Sequence, residues 1–235
     1  MKRFYKMVST EQSGDGYHIL LDGRSVKTKS GQNLHAYNEA IANHIVEEWA
    51  SQGDDIIPDT MPFTQILNTK QDRVSQERDA MCVSVLKYLD TDLICYFADD
   101  PQALIDLQKE QWQPILDWFE QEFSVVLKTT SSLVAVTQPD EAHKVVQDYV
   151  ESLEDEHFTI LQLVTSVSGS LLLALAFMHG AIDAQGVFDA CYVEETYKNT
   201  LYNAEKYGVD PMLEKTQQSV MADLSAAQDY LQALS

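Results

Sequence analysis

The sequence predicts an α+β protein in which a small N-terminal antiparallel β unit is followed by a larger orthogonal helical bundle. Three observations predict it. In the first forty residues, short β-branched and aromatic runs are separated by the turn signals Gly14-Asp15-Gly16, Asp22-Gly23 and Ser30-Gly31-Gln32-Asn33. From Asn38 onward, apolar residues recur at three- and four-residue steps. Charge is uneven as well: residues 1–29 hold six Lys+Arg against three Asp+Glu, whereas the 235-residue chain has a net charge of -21. The expected division is therefore a β unit over 1–36 and a helical domain over 37–235. The basic meander is expected to dock on acidic helical surface.

Phe4 to Thr10 is expected as the first strand and Tyr17 to Leu21 as the second. Asp22-Gly23 suits a type I′ hairpin turn, whose two central residues both need φ > 0, and Arg24 to Thr28 then returns as the third strand. Asn38 is placed as an N-cap, with Ile41, Ile45 and Trp49 as the buried stripe of the first helix. Gly53 to Pro62 is a loop. Leu67, Val74, Met81 and Tyr88 repeat every seven residues, which fits one long amphipathic helix or two consecutive ones. Pro101 suits the first turn of a helix with the stripe Ile105, Trp112, Ile115, Leu116 and Phe119, and Pro114 is expected to kink it. Ser124 to Lys128 fits a short strand or an extended linker.

Acids in a first turn favour helix starts at Pro139-Asp140-Glu141 and Glu154-Asp155-Glu156. Val164 to Ala181 is the most apolar stretch, expected as a buried core helix with Ser168-Gly169-Ser170 as small packing residues inside it. Gly180 and Gly186 are expected to bracket a short break. A helix from Val187 to Tyr207, ended by Gly208, follows. The last begins at Pro211, with Val220, Leu224, Ala227, Leu231 and Leu234 as its seam. About seven or eight helices result from these periods.

Composition narrows the function. Apolar residues at 45% and charged residues at 23% describe a globular protein. The acidic balance repels phosphate backbones and anionic lipid, so no nucleic-acid partner is expected. A spanning helix needs about 20 predominantly apolar residues, and Leu171 to Met178 is the longest purely apolar part of its segment, so no membrane insertion is expected. Cys82, Cys95 and Cys191 match no CxxC or zinc spacing and are expected as inert thiols. Neither GxGxxG, GxxxxGK[ST] nor GxSxG occurs.

Two acid-x-x-His pairs, Asp140 with His143 and Glu154 with His157, share a helix face in the manner of di-iron bundle ligands. Both lie in first turns, where acids are expected anyway, and no metal site is assigned to them. Glu194 falls on the stripe Val187, Ala190, Tyr197, Leu201 and Ala204, with Glu195 beside it. A carboxylate on an apolar seam is costly unless paired or exposed. Two readings stay open: the seam rotates and both acids face water, or they contact a partner.

The ordered motifs of the chain resemble one family. They run Arg3-Phe4-Tyr5-Lys6, Leu21-Asp22-Gly23-Arg24 with Lys27-Thr28, Glu47-Glu48-Trp49 with Gln52, Met61-Pro62-Phe63-Thr64, and Asp72-Arg73. Then come Tyr88, Asp92-Leu93-Ile94-Cys95-Tyr96, Gln108 with Trp112, Pro114 and Trp118, Ser170 through Ala176, Glu195-x-Tyr197 and Gly208-x-Asp210. Together they resemble the assembly chaperones of the F-type ATP synthase head, in the member that handles the alpha subunit. Lys29, Lys198 and Tyr207 depart from the family pattern.

The resemblance implies a non-enzymatic chaperone without cofactor, expected as a monomer, that holds the unassembled alpha subunit before it pairs with beta. It implies a functional acid at Glu195, with Glu194, Tyr197 and Leu201 as the surrounding surface. Structural roles are expected for Asp22, Gly23, Arg24, Trp49, Asp72, Arg73, Asp92, Trp112 and Ser170. The motif that begins at Arg3 points to the bacterial cytoplasm, with a mature mitochondrial matrix form as the alternative. The competing functions are a generic acidic interaction module and a metal-dependent enzyme using His143 and His157.

Overall fold

The computed structural model describes residues 1–132, 134–201 and 211–235. They form two compact units: Met1–Arg78 with Glu154–Ile160 and Gln228–Ser235, and Asp79–Leu153 with Leu161–Ala227. The α+β class holds: a four-stranded antiparallel sheet opens the chain and ten α-helices follow among the described residues.

The sheet is built on β2 (Gly16–Leu21), which pairs with β1 (Val8–Ser13), β3 (Arg24–Ser25) and β4 (His35–Ala36). Asp22 at φ 48° and Gly23 at φ 77° make the expected hairpin turn. β1 begins at Val8 rather than Phe4, because the Lys6 and Met7 amides donate to the Asp22 carboxylate (3.1 and 2.8 Å) instead of to a strand. The third strand is shorter than expected. Beyond Ser25 the chain turns inward, with the Val26 amide donating to Ile19 (2.8 Å) and the Leu34 amide to Val26 (2.8 Å). The compact unit that holds the sheet extends through Arg78, past the change from strand to helix near residue 36.

Asn38 caps α1 (Glu39–Ala50), its side-chain oxygen accepting from the Ala40 amide at 2.6 Å. Ile41, Ala42, Ile45 and Trp49 are buried, and α1 packs on β1, β2 and β4. The meander thus docks on an apolar stripe and not on acidic surface, since burying matched apolar area is favourable whereas burying charge is not.

The seven-residue repeat becomes α2 (Pro62–Thr69), a π-helical stretch (Lys70–Val74) and α3 (Ser75–Leu86), which is kinked at Glu77 (φ −121°, ψ 18°). The wider π turn serves Gln71 and Asp72 together. The Gln71 side-chain oxygen accepts from the His35 amide (3.2 Å), and Asp72 accepts from the Ser30 amide and hydroxyl (3.0 and 2.5 Å). Buried Lys70 pairs with Glu156 at 2.9 Å in the same unit.

In the second unit, α4 (Gln102–Phe123) runs through Pro114, which is exposed and does not end the helix. Trp112 and Phe119 of α4 are fully buried. Ser124 to Lys128 forms no strand: Ser124 is the left-handed cap of α4 (φ 55°) and the residues after it are a linker. α5 (Asp140–Ser152) and α6 (Asp155–Ser168) start where the acids place them. The expected core helix from Val164 to Ala181 is in fact broken. α6 ends at Ser168, Gly169 takes φ 71°, and α7 (Leu171–Met178) starts under a Ser170 cap. Left-handed backbone at Gly169 ends a helix, so Ser168-Gly169-Ser170 is a cap-to-cap junction and not a packing stripe.

The expected Val187 helix is also two: α8 (Ala184–Cys191) and α9 (Val193–Leu201), separated at Tyr192 (φ −107°, ψ 17°). Gly186 lies inside α8 rather than at a break. The expected end of that helix at Tyr207 and the Gly208-x-Asp210 motif lie outside the described residues. α10 (Pro211–Leu234) closes the chain as expected. No described helix is long and apolar enough to cross a membrane.

Candidate functional site

The acids singled out by the sequence sit on α9, which packs against α4. The two neighbours have different surroundings. Glu194 is drawn into the fold: its carboxylate accepts from the side-chain amide of Gln108 at 3.2 Å and lies 4.0 Å from the Lys198 ammonium. Gln108 is fully buried, and its oxygen accepts from the Ala98 amide at 2.7 Å. A hydrogen-bonded amide makes a half-buried carboxylate affordable on an apolar seam, which explains why Glu194 falls on that stripe. Glu195 is half-buried and, among the described residues, makes no hydrogen bond or ion pair.

The base of this surface is held by Trp112. Its indole N–H donates to the Ala190 carbonyl at 2.8 Å, joining α4 to the end of α8, and Phe97 packs edge-on against it with ring centroids 5.2 Å apart. Tyr197 is half-buried, whereas Leu201 is 60% exposed, a branched apolar side chain left in water. Burial pushes the Cys191 thiol up to about 12, and the Glu195 and Asp189 charges push in the same direction. It stays protonated and unreactive at neutral pH.

Several of the other quoted motif residues make contacts within the fold. Buried Asp92 caps the α6–α7 junction, accepting from the Ser170 hydroxyl (2.5 Å) and the Leu172 amide (2.9 Å). Burial pushes its carboxyl up to about 6, opposed by these donors. Asp22 ties the strand entry and Asp72 the Ser30 turn, as described above, while Arg24 and Arg73 lie exposed. The Trp49 carbonyl accepts from the Tyr5 hydroxyl at 2.7 Å. Glu48 and Gln52, quoted from the sequence only as part of a motif and given no role there, complete the first unit together with Tyr230, which the sequence did not single out. Glu48 caps α2 through the Phe63 and Thr64 amides (2.6 and 2.8 Å) and the Thr64 hydroxyl. Gln52 bridges Glu48, Thr60 and Ile57. Tyr230 is fully buried against Phe63.

The acid-x-x-His pairs do not become clusters. His143 contacts Asp90 at 3.0 Å rather than Asp140, and His157 belongs to the first unit. Among the described residues, the one group of three metal-ligating side chains is Asp15, His18 and His35. Asp15-x-x-His18 has the same spacing as the pairs considered, but its third member comes from another strand, which spacing along the chain does not display.

Comparison with known proteins agrees with this architecture. A family model described as ATP12 chaperone protein matches residues 2–120. The crystal structure of Atp12 from Paracoccus denitrificans superposes with a TM-score of 0.89 at 30% identity, covering 100% of this chain and 98% of that one. A solved Agrobacterium tumefaciens protein gives 0.90 at 28% identity, covering 100% and 86%. The mitochondrial atp12 protein of Schizosaccharomyces pombe is 24% identical over 221 residues, 86% of this chain and 74% of its own length.

Proposed function

The chain belongs to the ATP12 chaperone protein family of ATP synthase assembly, and from that membership we propose that its cargo is the unassembled alpha subunit of the F-type head. An isolated subunit of a ring exposes apolar surface meant for its neighbours, and such surface aggregates. A carrier at -21 stays dispersed while it covers that surface. It acts by binding alone and needs no nucleotide. Its place of work is the compartment where the head assembles, the bacterial cytoplasm or, for a mitochondrial form, the matrix.

The working surface in this reading is α9, with Glu195 at its centre and Glu194, Tyr197 and Leu201 around it. The observation that carries it is the contrast between the two acids. Glu194 is spent on Gln108, whereas Glu195 holds its charge without a described partner, in the same helix as exposed Leu201. Acid beside apolar contact steers toward a basic patch and disfavours wrong partners. The test is co-expression with the alpha and beta subunits separately, followed by pull-down. Capture of alpha and not beta supports the reading; equal capture of both, or of neither, ends it.

A further inference from the structure

We propose that Asp15, His18 and His35 form a binding site for a borderline divalent ion of the zinc class on the N-terminal sheet. The site is assembled by strand register. β2 and β4 pair so that His18 stands directly opposite His35, and directly opposed residues of an antiparallel pair present their side chains on one face. The two rings lie 5.3 Å apart at 30°. Asp15 comes from the turn that joins β1 to β2, its carboxylate oxygen 2.9 Å from His18 Nε2. One ligand atom from each of the three residues lies within 4.8 Å of the others.

The surroundings hold these groups in place. The start of β2 lies close against β4: a Cβ on Gly16 would stand 2.4 Å from the Ala36 carbonyl oxygen, so only glycine admits this approach. The His35 ring is oriented through Nδ1, which lies 3.2 Å from the Asn33 carbonyl and 3.0 Å from the Gln71 side-chain amide. Outer partners of this kind fix a ligating imidazole. His18 Nδ1 is buried without a hydrogen-bond partner; with the ring proton there, the Nε2 hydrogen bond to Asp15 is given up and both groups turn their lone pairs to the ion. Ser13 Oγ, 3.1 Å from His18 Nε2, is a further oxygen at the rim.

Two imidazoles and one carboxylate select the chemistry. Zinc and its first-row neighbours take such a set, with water completing the coordination, while magnesium and calcium prefer oxygen alone. Bound there, the ion would clip β2, β4 and the first turn together. The site uses residues of the sheet and none of the proposed partner surface on α9, so its test is independent of cargo binding.

The test is calorimetric titration of the full chain, stripped by chelation, with zinc chloride and separately with magnesium chloride. One zinc per chain is expected, with no saturable uptake of magnesium. Asp15→Asn and His35→Ala, each checked by circular dichroism for an intact fold, should weaken zinc binding tenfold or more. His143→Gln should leave it unchanged. Absence of saturable zinc binding, or equal affinity in the wild type and both site variants, would overturn the proposal.

Discussion

The Ser170 hydroxyl donates to the buried carboxylate of Asp92 across 78 residues of chain, at 2.5 Å. The same hydroxyl oxygen accepts from the Leu173 amide at 3.0 Å and so caps α7, while Asp92 takes the Leu172 amide at 2.9 Å. Two helix-start amides are thereby satisfied inside an apolar core that solvent does not reach. Ser170→Ala removes the cap and one donor to the carboxylate. It should cost about 1–3 kcal/mol in denaturant unfolding; a loss within error of zero would count against the junction as a stability element.

Asp92 also makes stability depend on pH. Burial raises its folded value to about 6 from an ordinary 3.8, so the folded state binds the proton more tightly than the unfolded chain. The contribution is fully present below about pH 4 and is lost as pH rises through about 6. The stability difference between the wild type and Asp92→Asn should therefore shrink from pH 4 to pH 7, by an amount on the order of 3 kcal/mol. Unfolding both proteins in urea at each pH measures it. A difference that grows with pH would mean that the donors to the carboxylate outweigh burial.

Gly23 sits at φ 77° with open space where a side chain would go. Strain in a substituted residue would come from its backbone alone. Gly23→Val should lower stability by roughly 1 kcal/mol or more, seen as a lower melting temperature. An unchanged melting temperature would contradict the turn.

Glu48 receives the first amides of α2, and among the described residues no other side chain caps that end. Glu48→Ala should cost about 1–3 kcal/mol, and Glu48→Gln, which keeps one acceptor, should cost less. Equal losses in the two variants would show that packing of the side chain, not its acceptor atoms, matters at this position.

Glu194 and Glu195 are adjacent, yet their substitutions should separate. Glu195→Lys should abolish capture of the alpha subunit while the melting temperature stays near the wild-type value. Gln108→Leu, which removes the group that holds Glu194 and the Ala98 amide, should instead lower stability by about 1–3 kcal/mol. Full capture by folded Glu195→Lys would move the contact away from α9.

The sequence by itself determined what local chemistry controls. The β-then-helix order, the Asp22-Gly23 turn, the Asn38 cap and the buried stripes of α1 and α4 each depend on residues a few positions apart, whose period or conformational preference acts before any long-range contact forms. Tertiary structure decided the rest. Ser168-Gly169-Ser170 has the composition of a packing stripe, and it became a junction because Asp92 meets it there. The Val187 helix divides at Tyr192, next to the Ala190 carbonyl held by Trp112. Glu48 on α2, Gln108 on Glu194 and His35 beside His18 are pairings between distant segments. Such pairings leave no repeat in the chain, because a hydrogen bond or a shared ligand position requires only that two groups arrive at the same place.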